Sequence, residues 1–228
     1  MRRPTLLALL VALLVLTLAD VTPALAHQPY FEDVDTTANR PWSLADPTVS
    51  VALYFTLESA TDVDYVAFEG SAGQSILVSM VIPQIAGQET FTPQVAVLGP
   101  GLSGGQLPAP ITIPAENGAY LLTPVLGEAP IFFEPFSRTR YYQRQEERIT
   151  LPADGRYVVA VWSDSGTVGR YTLAIGDQEI FGGDPAFRSK MSSYWQPLPT
   201  PSPTPTVMPT ATPQASKTSG TESAHGCQ

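Results

Sequence analysis

Apolar and polar residues alternate with period two through much of this chain. The alternation is sharpest over residues 61–83, TDVDYVAFEGSAGQSILVSMVIP. Val63, Tyr65 and Ala67 fall on one face of an extended segment, and Asp64, Val66 and Phe68 fall on the other. A glycine-bounded turn at residues 70–73 and an apolar run at 75–82 follow, which predicts a β-hairpin. Residues 151–175 repeat the logic near the other end of the folded region. The same reading places strands at residues 49–57, 63–69, 75–82, 94–98, 119–125, 131–134, 139–151, 156–162 and 170–175. No stretch of a dozen residues sustains a helical period. Short strands divided by Gly, Pro and Asp turns point to an all-β sandwich or barrel.

Outside the strands, the pattern divides the chain. Arg2 and Arg3, the apolar run at residues 6–18 and Ala24-Leu25-Ala26 have the order of a secretory signal peptide, residues 1–26. The apolar run is 13 residues long, against the roughly 20 that span hydrocarbon, which disfavours an uncleaved anchor. Residues 27–48 form an acidic, irregular lead-in, and 49–181 form the sandwich. The Gly/Pro-rich loop at 99–110 either crosses between sheets or caps one end. Residues 182–196 are transitional, with Phe187, Tyr194 and Trp195 available to pack back on the domain. Residues 197–228 open with PLPTPSPTPTVMPTATPQ, whose Pro/Thr repetition builds no core and predicts an extended, solvated stalk followed by a disordered polar end.

The formal net charge is −9, and loss of Arg2, Arg3 and Asp20 with the signal peptide takes it to −10. With no basic cluster, such a chain argues against nucleic acid and against anionic membrane surfaces. Cys227 is the one cysteine, so an intramolecular disulfide is impossible; an intermolecular bridge and an unmodified terminal thiol are the alternatives. The mature chain keeps two histidines, His27 and His225, both far from the expected core. They assemble no Ser-His-Asp or Cys-His arrangement and no usual zinc set. His27 with a free amine is half of a copper-binding brace, and the second histidine is missing.

Two segments resemble the bacterial pre-peptidase C-terminal domain, a secreted β-sandwich accessory module. The first is Asp62-Val63-Asp64-Tyr65-Val66-Ala67-Phe68 with Ala72-Gly73-Gln74 and the strand from Ile76 to Val81. The second is Ala153-Asp154-Gly155-Arg156-Tyr157-Val158-Val159-Ala160-Val161 followed by Gly169-Arg170-Tyr171-Thr172-Leu173. The resemblance covers residues 49–175 and implies a jelly-roll-like antiparallel β-sandwich that binds rather than catalyses. Independently of it, Asp62 and Asp64 suit a strand-leading turn, and the rings of Tyr157 and Tyr171 suit a core with hydroxyls reaching the surface.

Three candidate sites follow. Glu32, Asp33, Asp35 and Asn39 make an oxygen-rich cluster ahead of the sandwich. Some collagen-binding members of the resembled family hold calcium between such a segment and core carboxylates, which would add Asp62 and Asp64 to the ligands. The same residues also read as a solvated acidic stretch and a turn. Phe133, Phe136, Arg138, Arg140 and Tyr142, within IFFEPFSRTRYY, suit stacking on sugars or gripping a peptide, although alternate members of such a strand are expected in the core. Glu134, Glu146 and Glu147 are candidates for a carboxylate pair, read more simply as a charged outer face. The expectation is a secreted or envelope-located, non-catalytic module for an extracellular protein or polysaccharide. A structural envelope protein tethered by its stalk is the alternative, and a carboxylate-dependent hydrolase is disfavoured.

Overall fold

β-Branched and aromatic residues at alternate positions give strands whose inward rows meet between two sheets. The computed structural model describes residues 27–108, 110–114, 116–135 and 137–198. The expected signal peptide, the Pro/Thr-rich tail, Cys227 and Phe136 lie outside the described residues. In chain order the strands are β1 (Gln28–Phe31), β2 (Trp42–Ser43), β3 (Val51–Leu57), β4 (Val63–Gly70), β5 (Ser75–Pro83) and β6 (Gln94–Pro100). They continue with β7 (Asn117–Leu121), β8 (Ile131–Glu134), β9 (Thr139–Thr150), β10 (Gly155–Trp162) and β11 (Gly169–Ile175). One sheet runs β1-β3-β11-β5-β9-β8, and the other runs β2-β4-β10-β6-β7. The fold is a β-sandwich of two mixed sheets: β1 and β2, contributed by the acidic lead-in, pair in parallel with β3 and β4, and the remaining pairs are antiparallel.

The expected hairpin over residues 61–83 does not form. β4 lies in the five-stranded sheet and β5 in the six-stranded one, so the turn between them crosses the sandwich. Its backbone docks on the corner after β9, with Gly73 N donating to Leu151 O and Leu151 N donating to Gln74 O, both at 2.8 Å. Period two fixes which face a residue occupies but not which strand lies beside it. The loop after β6 does not cross between sheets, since it returns to β7 beside β6. On the way it packs Leu107, Ile111 and Ile113 over the outer face of the five-stranded sheet.

Leu53, Phe55, Leu57, Val78, Met80, Ile82, Leu173 and Ile175 form the middle of the core, with Val66, Phe68, Val95 and Val97 opposite. Full burial of each large side chain contributes about 1.5–3 kcal/mol. Tyr157 on β10 stacks with Phe68 at a centroid distance of 5.7 Å. Its ring is admitted because Gly99 has no side chain: a Cβ there would lie 2.1 Å from the ring. The Tyr157 hydroxyl donates to Ala153 O at 2.8 Å, closing the β9–β10 corner from inside rather than reaching the surface.

A helix, α1 (Phe187–Tyr194), crosses the outer face of the six-stranded sheet. Phe187, Met191, Tyr194 and Trp195 cover Phe31, Ala52 and Tyr54 there, so the transitional segment does pack back. At eight residues the helix is too short to give a periodic signal in sequence. A β-bulge on β9, opposite Met80 and Val81, turns Arg144 into the protein. Among the described residues the buried guanidinium meets no carboxylate. It donates to the carbonyls of Phe91 (3.1 Å), Val125 (3.0 Å), Gly127 (2.8 Å) and Glu89 (2.6 Å), fastening two long loops to one side chain.

Candidate functional site

The first site is acidic and sits where β1 ends against β4. Asp64 shares the β4 face of Val66 and Phe68, so it points between the sheets and is completely buried. Tyr171 on β11 donates to Asp64 Oδ2 at 2.7 Å, and Thr36 Oγ1 donates to Oδ1 at 3.2 Å. Thr36 Oγ1 in turn accepts the Tyr65 amide at 2.9 Å. Glu32, just past β1, accepts the amides of Thr56 at 3.1 Å and Thr36 at 3.3 Å. Oxygens of Glu32, Asp35 and Asp64 lie within 4.8 Å of one another. Burial, followed by the charge of Glu32, pushes the Asp64 carboxyl well above the usual carboxylate range, even though the Tyr171 hydroxyl opposes it. Burial also raises Glu32, against the opposing Thr56 amide.

The six residues expected at this site therefore divide. Glu32, Asp35 and Asp64 come together. Asp62 stands next to them, raised by burial, and its Oδ2 accepts the Glu58 amide at 2.6 Å. Asp33 turns away to an ion pair with Lys190 on α1 at 2.6 Å. Asn39 is exposed in the turn between Thr37 and Arg40. A cleft of about 450 Å³ adjoins the cluster, with Glu32, Asp35, Glu58, Arg170, Lys190 and Tyr194 in its walls. Sequence reading missed Thr36 and Tyr171 as partners, since nothing local marks a hydroxyl that meets its acceptor across the sandwich. An oxygen triad with a buried member suits a hard cation, for which two oxygens 4.8 Å apart can each stand about 2.4 Å from one ion.

The second site is the β8–β9 hairpin. The six-stranded sheet has one strand more than its partner, and the Tyr120 hydroxyl of β7 donates to Glu147 on β9, so β8 projects beyond the opposite sheet. Pairing sets Ile131 beside Tyr142 and Phe133 beside Arg140 on one face of the hairpin. Tyr142 is half-buried against the core, whereas Ile131 and Phe133 are 48% and 52% exposed. Phe132, on the other face, is 39% exposed. Arg138 lies in the turn and Arg140 on β9; both are exposed, and neither has a side-chain partner among the described residues. Of the candidate set, Phe133, Arg138 and Arg140 are thus available on the surface, Tyr142 is partly in the core, and Phe136 lies outside the described residues.

Of the carboxylates considered for hydrolysis, Glu134 and Glu146 line one pocket beside His27 and Tyr141, and Glu147 stands apart from it. Glu146 and Glu147 are successive on β9 and point to opposite faces. Glu146 accepts from Gln143 at 2.8 Å, and Glu147 accepts the Thr123 amide at 2.8 Å. The His27 ring is hydrogen-bonded to the Ser50 hydroxyl. No helix among the described residues is long and apolar enough to cross a membrane.

No protein-family model matches the chain, and no curated protein matches it at a significant level. Solved structures do. A periplasmic inhibitor of g-type lysozyme from Salmonella Typhimurium aligns over 59% of this chain and 97% of its own, at 17% identity and a TM-score of 0.34. The pre-peptidase C-terminal domain of a Bacillus anthracis collagenase aligns over 58% and 91%, at 14% identity and a TM-score of 0.33. A surface-associated copper-binding protein of Methylomicrobium album aligns over 67% and 99%, at 8% identity and a TM-score of 0.31. The likeness is one of fold outline, and no ligand or activity carries over from it.

Proposed function

We propose that this chain is an exported, non-catalytic β-sandwich module that holds an extracellular protein or polysaccharide through the β8–β9 edge. In this reading residues 1–26 direct export, and residues 197–228 form the stalk that displays the module, with Cys227 open to an intermolecular bridge. The observation that carries the binding reading is the concentration of exposed apolar area. Seven of the exposed large hydrophobic residues, from Tyr120 to Phe133, fall within the stretch that joins the projecting edges of the two sheets. Exposed apolar side chains gathered along one edge are a mark of interaction surfaces.

Calcium belongs to the same proposal. The ion would be held by Glu32, Asp35 and Asp64, with Asp62 beside them. It would supply charge compensation for buried carboxylates and fasten the β1 segment to β4. Support comes from the oxygen spacing and from the complete burial of Asp64.

The binding reading is tested by screening the exported protein against glycan and matrix-protein arrays, beside the Phe133→Ala and Arg140→Ala variants. Each variant is expected to lose about tenfold or more in affinity for whatever the wild type retains. Equal retention by both variants and the wild type would remove the hairpin as the binding surface.

A further inference from the structure

The hydrogen-bond phase of β8 adds a specific prediction. Gln143 N donates to Pro130 O at 2.9 Å, so Pro130 and Gln143 are a hydrogen-bonded position of the β8–β9 ladder. Antiparallel ladders alternate bonded and non-bonded positions, so Phe132–Tyr141 is bonded, and Ile131–Tyr142 and Phe133–Arg140 are not. The Arg140 carbonyl confirms the phase, because it accepts Gln84 N from the opposite side at 2.9 Å. The N–H and C=O groups of Ile131 and Phe133 therefore point outward from the sheet.

The other sheet edges are bonded in part or short. Pro29 O on β1 accepts Asp184 N at 2.7 Å, and Ala119 N on β7 donates to Gly104 O at 3.3 Å. β2 is two residues long. β8 combines an uncovered backbone with exposed apolar side chains on both faces, a combination that proteins otherwise suppress. A second observation points to the same hairpin. Among the described residues Arg138 is the one non-glycine at positive φ, 57°, where Gly or Asn is favoured. Strained backbone positions cluster at functional sites, and this one carries an exposed guanidinium.

We propose that β8 accepts an added strand from a partner protein, an extended segment that is apolar at its centre and acidic where it passes Arg138 and Arg140. The proposal rests on the hairpin being the binding surface, and it narrows that surface to peptide. The occupant is acidic where it passes the hairpin, because the guanidinium groups of Arg138 and Arg140 are exposed there with no side-chain partner among the described residues. Backbone bonds to Ile131 and Phe133 supply the register, and the arginines supply the choice of partner.

The experiment measures binding of the full chain to an acetylated seven-residue peptide of alternating glutamate and valine. Its analogues are a lysine-for-glutamate peptide and a peptide N-methylated at every backbone nitrogen. The acidic peptide binds, and both analogues lose about tenfold or more. Phe133→Pro removes one outward N–H without touching the β8–β9 bonds and gives a similar loss, with melting as the check that the variant folds. Arg138→Gly also weakens binding, while relief of the backbone raises Tm by about 2–4 °C. Equal binding of the methylated peptide would overturn strand addition and leave a side-chain patch. A glycan retained on the array through Phe133 and Arg140, with no peptide bound, would overturn it while preserving the broader reading. A dimer that Phe133→Pro converts to monomer would make a second copy the occupant and overturn the acidic partner. Indifference of every array ligand to Phe133→Ala would remove the broader reading itself.

Discussion

The Tyr171 hydroxyl and Asp64 Oδ2 meet at 2.7 Å across the sandwich, joining β11 of one sheet to β4 of the other through two fully buried side chains. Without this bond, Asp64 would keep only the hydroxyl of Thr36 as a donor in that space. Tyr171→Phe should therefore destabilise the domain by about 1–3 kcal/mol, the cost of stranding a buried acceptor. Urea denaturation with an unchanged slope is the measurement; no shift of the midpoint would mean that the acceptor finds another donor.

The raised carboxyls fix the sign of the pH dependence in calcium-free protein. Unfolded carboxyls titrate near pH 4, whereas Asp64 and Glu32 hold protons above that range in the fold. The native state thus binds more protons than the unfolded state. Its stability is fully present at low pH and is lost as pH rises through the elevated native values. With chelator present, Tm should fall from pH 5 to pH 9, and Asp64→Asn should flatten that slope. A wild-type Tm that climbs over this interval would contradict the burial of these groups.

Calcium should reverse the trend, because a divalent ion favours the ionised carboxylates. At calcium about a hundredfold above its dissociation constant, Tm should rise by about 5–10 °C at pH 7.5. Asp35→Asn, at an exposed position, should remove the rise with little change in calcium-free stability. An equal rise in wild type and variant would place the ion elsewhere.

Arg144 should not tolerate lysine. One ammonium cannot reach four carbonyls that a planar guanidinium spans, so Arg144→Lys leaves buried acceptors unsatisfied. The expected loss is about 2–4 kcal/mol. Hydrogen exchange should quicken in residues 84–93 and 122–130 before it does in β10.

The strands were legible because alternation marks a pleated segment wherever it lies. β5, β8 and β11 fall within two residues of the expected segments. Partners were not legible, and so residues 61–83 read as a hairpin although the turn bridges two sheets. The parallel strands β1 and β2 were hidden by length, four and two residues. Arg144 was hidden by the bulge, which shifts the phase of a segment that otherwise reads as alternating charge. At the acidic site the carboxylates were visible as residues, but the choice among them was not. Asp33 carries the same side chain as Asp35 and differs from it only in where the backbone turns it.

The crossing of the chain between sheets at almost every step also bears on how quickly the domain forms. Thr172 pairs with Tyr54, and Val158 with Ala67, over separations of about a hundred residues, so most of the ladder waits for distant segments to meet. Such topologies fold in milliseconds to seconds rather than microseconds. β8 and β9, joined by a four-residue turn, can pair early. A nascent chain would then carry its stickiest edge before its core has closed, an interval in which a cognate strand protects and a chance one aggregates.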